Sequence, residues 1–199
     1  VSVYQNKNSV DVPINIVLTN VLNWIKLGRW AKLIQTIRET GIGKGELPCV
    51  TWTGVFNKGS RTENGISEFS GFAPMDFDMK ESSVDDIQAQ IEELKEDPHI
   101  YAIWKSASGK GIHALMRIHS CESYRDHYRA IIKNYPKIDE KCSNISRILF
   151  VSYDPDLYIN EDALEFTEVI TEEVLTLTSE PTKASKTDFR KLELVCNLF

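Results

Sequence analysis

The sequence predicts an α+β fold built around an antiparallel sheet, and three observations carry that expectation. Apolar residues recur at helical spacing in the stretches 14–40, 82–97 and 121–135; β-branched and aromatic runs alternate with those stretches; and SASGKG joins two such runs as a hairpin would. Composition agrees, since 42% hydrophobic and 26% charged residues over 199 positions suit one good core or two small ones.

Between Ile14 and Thr40, Val17, Leu18, Val21, Leu22, Ile25, Trp30, Leu33, Ile34 and Ile37 fall at three and four, interrupted at Gly28, which predicts two amphipathic helices. Gly41, Gly43 and Gly45 break the chain. LPCVTWTGVF then reads as a strand with a turn near Gly54. SGFAPMDFDM is a short strand, and SSVDDIQAQIEELKED a helix with Ser82 or Ser83 as N-cap and acids in its first turn. Strands follow at 99–105 and 112–118, a helix at 121–135 and a last strand at ILFVSYD. The order β-α-β-β-α-β is that of a ferredoxin-like or RNA-recognition-like catalytic unit, here preceded by an N-terminal helical and β segment. In such a unit helices cover one sheet face and leave the other for a site.

The expected organisation is one domain over 1–170, an acidic and polar linker over 171–187, and the start of a further helical segment over 188–199. No apolar run reaches the roughly 18 residues of a membrane span, and the N-terminus lacks the pattern of a signal peptide. A soluble, cytoplasmic protein with no membrane partner is expected. The four cysteines, Cys49, Cys121, Cys142 and Cys196, show neither C-x-x-C pairing nor zinc spacing, so buried or idle thiols are expected. The net charge is −6, yet residues 101–150 hold nine Lys and Arg against four Asp and Glu. That basic stretch fits either a phosphate-binding patch or a merely solvated surface.

Three features carry chemistry. Asp76 and Asp78 stand two apart in an apolar strand, so the period of two puts both carboxylates on one face and Met75 and Phe77 on the other. Like charges that close call for a counter-ion, which a divalent metal would supply; a strand end dipping into solvent is the plain alternative. In SASGKGIHALMRI, small residues let backbone N–H groups approach an anion, with Lys110 adding charge and His113 projecting from the next strand. The spacing is not that of a Walker A loop. In KIDEKCSNISRILFV, Asp139 precedes Arg147 by eight residues, an acid to complete a carboxylate trio and an arginine to grip phosphate, or else a solvated surface pair. A further pair, Asp154 and Asp156, straddles Pro155 and reads as a turn.

Taken in order, MDFDM, SGKGIH, and the Ile138–Asp139 step followed by NISR resemble the three motifs of the archaeo-eukaryotic primase superfamily. LPCVTWTGVF upstream and SRILFVSYDPDLYIN downstream resemble further the primase-polymerase-like domain labelled VirE N-terminal, found in bacterial mobile-element proteins; together these cover roughly residues 45–165. The resemblance implies template-directed nucleotidyl transfer by a DNA primase or polymerase in mobile-element replication. It implies two Mg2+ or Mn2+ ions on Asp76, Asp78 and Asp139, and a nucleoside triphosphate held by Ser108, Gly109, Lys110, His113 and Arg147. The implied partners are a single-stranded or primed DNA template and a helicase or other replication domain. Tyr101, Trp104 and Trp52 are candidates for stacking on the template across the open sheet face, or else core residues. One position departs from the motif. Where the superfamily commonly has serine two residues before the histidine, this chain has Gly111, with Ser106 and Ser108 upstream. Two rival readings stand beside the polymerase: a non-polymerising nucleotide- or DNA-binding module of a larger replication protein, and a metal-dependent nuclease.

Overall fold

The computed structural model describes residues 1–9, 13–59 and 61–172. The chain divides into two units, Val1–Val169 and Ile170–Phe199. The first is described below. The expected linker, from residue 173 onward, and the expected helical segment at 188–199 with Cys196 lie outside the described residues.

The described part is α+β, with antiparallel sheets and four α-helices. At the N-terminus β1 (Ser2–Tyr4) pairs with β2 (Ile14–Asn15), and the two predicted helices follow as α1 (Leu18–Leu27) and α2 (Ala31–Thr40). Ile14, expected in the first helix, belongs to β2, because Val1 and Ile16 exchange hydrogen bonds that hold this stretch extended. Gly28 ends α1 at φ 79°, a left-handed value that L side chains rarely adopt, and Val21, Leu22, Ile25, Ile34 and Ile37 are buried as the spacing requires.

LPCVTWTGVF forms β3 (Cys49–Thr51) and β4 (Gly54–Phe56), the latter paired with β5 (Ile66–Phe69) as a separate ribbon. Next come β6 (Phe72–Asp78), α3 (Val84–Lys95), β7 (Ile100–Lys105), β8 (Gly111–Arg117) and α4 (Tyr124–Asn134). Helix α3 starts at the expected place. Ser83 Oγ accepts from the Asp86 N–H while the Asp86 carboxylate accepts from the Ser83 N–H, a reciprocal capping box.

The main sheet has the order β10-β7-β8-β6, with β10 spanning Tyr158–Ile159. Strand β8 lies between β6 and β7 and is antiparallel to both. The sequence expectation fails at the last strand. From ILFVSYD only β9 (Leu149–Phe150) forms, and it joins the other sheet, of order β2-β1-β3-β9, beside β3. The turn at Asp154 then sends the chain back to add β10 at the β7 edge. The buried Asp154 carboxylate accepts from the Lys105 and Asp156 N–H groups, so the Asp154 and Asp156 pair is the turn its proline suggested.

On β6, Ala73, Met75 and Phe77 are buried; the ring of Tyr135, the residue after α4, meets Phe77 edge-on, and the Tyr128 hydroxyl of α4 donates to the Pro74 carbonyl. The opposite face carries Asp76 with its cross-strand neighbours His113 and Trp104. That face is not open at its centre. Trp52, from the β3–β4 connection, packs on Trp104 with ring centroids 4.9 Å apart, and both are fully buried. Neither can stack on a template base, because burying the two rings against each other removes their apolar area from water. Tyr101, also buried, packs against Phe72.

Cys49 and Cys142 are buried and Cys121 is half-buried, all as free thiols, and burial pushes Cys49 up to about 11 and Cys142 up to about 12. Among the described residues no helix is long and apolar enough to cross a membrane.

Candidate active site at the end of strand β6

Strand period and register assemble the first two motifs. In antiparallel pairs directly opposed residues point to the same face, and Asp76 stands opposite His113 while Asp78 stands opposite Gly111. His113 Nε2 therefore lies 3.4 Å from Asp76 Oδ1. The imidazole is held edge-on to Trp104 at 5.6 Å, and its Nδ1 is buried with no hydrogen-bond partner. Buried polar atoms seldom go unpaired, so this nitrogen is free to meet a ligand, an ion or water.

Burial pushes the Asp76 carboxyl upward, but His113, Lys44 and Arg147 outweigh it and hold the group below the usual aspartate range. Asp76 is thus a partly buried carboxylate whose neighbours favour its ionised form. Asp78 sits at the exposed end of the strand, where its carboxylate pairs with Lys80.

The third motif reaches the same place by backbone pairing. Ile138 bridges Phe77 antiparallel, and the Asp139 N–H donates to the Asp76 carbonyl at 2.7 Å, so 138–139 runs along the outer edge of β6. The Asp139 carboxylate accepts from the Lys141 N–H at one oxygen and from Arg147 Nη2, 3.0 Å away, at the other.

The glycine-containing hairpin is closed on itself. The N–H of Ser106 donates to the Gly111 carbonyl and the N–H of Gly109 to the Ser106 carbonyl, while Ser108 Oγ accepts from the Lys110 N–H. The Gly109 N–H, expected to face a phosphate, is thereby committed to the turn. The Lys110 side chain is exposed.

Gly111 has a steric cause. A Cβ there would stand 2.6 Å from the Phe77 carbonyl oxygen and 3.3 Å from Ser106 Oγ. Serine at 111 does not fit this register, whereas the Ser106 hydroxyl already lies beside that point and is buried.

Structure thus brings Asp76, His113, Asp139 and Arg147 together, with Asp78 and Lys110 at the rim and Ser108 and Gly109 in the turn. It adds Lys44 and Arg38, which the sequence did not single out, and gives a place to Ser106, noted there only as lying upstream of Gly111. Lys44, in the glycine-rich break after α2, is close enough to stabilise the Asp76 carboxylate. Ser106 stands beside Gly111. Arg38 of α2 donates through Nη2 to the carbonyls of Ser106 and Tyr153, at 3.2 and 2.8 Å, and so ties the hairpin to the helical segment. A lysine flanked by glycines was the available signal for Lys44; for Arg38 there was none.

Aspartate carboxylates are the hard oxygen donors that Mg2+ and Mn2+ prefer, so Asp76, Asp78 and Asp139 suit those ions by chemistry. In this arrangement Arg147 and Lys80 occupy the positive positions beside the outer two acids. Among the described residues no three His, Cys, Asp or Glu side chains converge as a ready ligand set.

The sequence model of the BT4734-like, N-terminal domain family matches residues 43–159, which runs from just before β3 through β10 and includes all three motif segments. No curated protein and no solved structure matches the chain. The match covers more than half of the sequence, and the chain belongs to the BT4734-like, N-terminal domain family.

Proposed function

We propose that this chain carries the nucleotidyl-transfer site of a primase-polymerase of the archaeo-eukaryotic primase kind, working on nucleoside triphosphates and a DNA template. The observation that carries the reading is convergence. Three motifs far apart in sequence meet at one sheet edge, with His113 3.4 Å from Asp76 and the Asp139 N–H bonded to the Asp76 carbonyl. A ferredoxin-like core is part of the same reading. It is supported by the β6-α3-β7-β8 succession with β8 between the other two strands, while β10 at the β7 edge sets this sheet apart from a ferredoxin-like sheet.

In this mechanism a strand's 3′-hydroxyl attacks the α-phosphate in line, a P–O bond forms as the bond to pyrophosphate breaks, and no side chain becomes covalently attached. Asp76, Asp78 and Asp139 hold two divalent ions, which when bound supply Lewis acidity at the hydroxyl and charge compensation at the triphosphate. His113 and Lys110 hold the β- and γ-phosphates. Arg147, turning from Asp139 toward the nucleotide, adds a planar grip. Trp104 fixes the His113 ring, so the contribution of the protein is positioning and preset charge.

Primer extension with Mg2+ or Mn2+ tests this. The native chain is expected to extend a labelled primer, and Asp76→Asn combined with Asp78→Asn to abolish the product while leaving the melting curve cooperative. The closed hairpin and the Asp139–Arg147 pair favour a second reading, a module that binds nucleotide without polymerising. That reading wins if triphosphate binds but no nucleotide is ever incorporated. Full extension by the double variant would sink the metal-site assignment.

A further inference from the structure

Next to the candidate site, and lined by none of its acids, Lys7, Asn8, Arg61, Asn144, Ser146 and Arg147 surround a cavity of about 490 Å³, within the size range of ligand pockets. Three of these are cations, and among the described residues no acid lines the cavity. Like charges facing one space repel, and the arrangement is relieved by an anion between them. Ile148 completes the lining, and among the neutral polar members Asn144 offers a donor. Asn144 Oδ1 accepts from both the N–H and the hydroxyl of the buried Ser146, at 2.9 and 2.8 Å, which leaves the Asn144 amide nitrogen to donate elsewhere. Arg61 is steadied over the Tyr4 ring, 5.8 Å from its centroid. Arg147 belongs to both places. Its Nη2 holds Asp139, its Nε is buried without a partner, and its side chain forms part of the cavity wall.

We propose that this cavity binds a phosphate group of a nucleic-acid strand. The chemistry is that of a phosphate site, with two further cations that come from outside the three motifs, Lys7 from the segment after β1 and Arg61 from the one before β5. The choice of a strand over a free nucleotide rests on the nucleotidyl-transfer reading. There the β- and γ-phosphates lie at His113 and Lys110, neither of which lines the cavity; Arg147 is the wall shared by the two places, and a strand whose end reaches Asp76 can leave a phosphate on its cavity side.

Fluorescence anisotropy of a labelled single-stranded oligonucleotide over a salt series tests the assignment in the full chain. Lys7→Gln with Arg61→Gln is expected to weaken binding by about tenfold or more and to lower the log–log salt slope by about 0.7, the value for one phosphate contact on a single strand. Lys7→Arg with Arg61→Lys, which keeps both charges, is expected to restore most of the slope, separating a charge effect from a folding defect. Unchanged affinity and slope in the Gln variant overturn the proposal, as does absence of oligonucleotide binding by the native chain. A loss confined to nucleoside triphosphate binding also overturns it and gives the cavity to free nucleotide. The two readings fail separately: Asp76→Asn reports on transfer chemistry, and the Lys7 and Arg61 variants report on strand binding, whether or not any nucleotide is incorporated.

Discussion

A Cβ at Gly111 would lie 2.6 Å from the Phe77 carbonyl oxygen, closer than a side-chain carbon can approach backbone without something moving. What yields has to be the β6–β8 edge, because Phe77 and Gly111 are fixed by the Asp78–Gly111 and Phe77–Ile112 register. Gly111→Ser is therefore expected to destabilise the protein by about 1–3 kcal/mol, the usual cost of overpacking a tight contact. It is also expected to weaken triphosphate binding, because His113 is two residues further along the same strand. Chemical denaturation and nucleotide titration check the two effects. A Gly111→Ser protein as stable as the native one would show that this edge opens easily. The absence of serine at 111 was visible in the sequence; its cause was not, since the carbonyl that excludes a side chain belongs to another strand. Asp76 and Asp78 were legible because strand period alone puts them on one face. That Lys44 and Arg147 also act on the Asp76 carboxylate was not legible, because both come from loops distant in sequence and no local pattern announces which acid they approach.

At the scale of elements, the hairpin 106–110 gains its position from α2. Arg38 spans from that helix to the Ser106 and Tyr153 carbonyls, and hydrogen bonds from a charged donor contribute more than neutral ones, though its exposure reduces the gain to about 1–2 kcal/mol in all. Arg38→Met keeps the stem and removes both bonds. Faster amide hydrogen exchange at Gly109, whose N–H closes the turn onto Ser106, is expected, with exchange at Ala114 in mid-strand nearly unchanged. Equal acceleration at both positions would mean that Arg38 supports the whole unit rather than the hairpin. The helices were the most legible elements, since the spacing of Val21, Leu22 and Ile25, and of Ile87, Ile91 and Leu94, is set within each segment. Strand partnership is not local. ILFVSYD has strand chemistry, but whether Leu149 pairs in one sheet or the other depends on which edge is vacant nearby, and β3 offered its edge to β9. β10, only Tyr158–Ile159, is too short for any periodic signal.

Across the whole first unit, the two larger sheets communicate through the tryptophans. Trp52 follows β3 of one sheet, Trp104 lies in β7 of the other, and His113 stands against Trp104 on its far strand. A base-stacking role for these aromatics is closed off by their burial; Trp104 instead packs edge-on against the His113 imidazole. Sequence showed two tryptophans in strand-like runs, but only the assembled sheets show that they touch. Trp52→Ala leaves a large hole under Trp104 and is expected to cost about 3–5 kcal/mol, the range for large aromatic truncations in cores. Trp52→Phe keeps most of the volume and should cost clearly less. If the contact also positions the site, the Ala protein, under conditions where it is still folded, should show a shifted His113 imidazole resonance and weaker triphosphate binding, with the Phe protein in between. Loss of stability with the His113 resonance and nucleotide affinity unmoved would mean that the sheets share a core but the site rests on β6 and β8 alone.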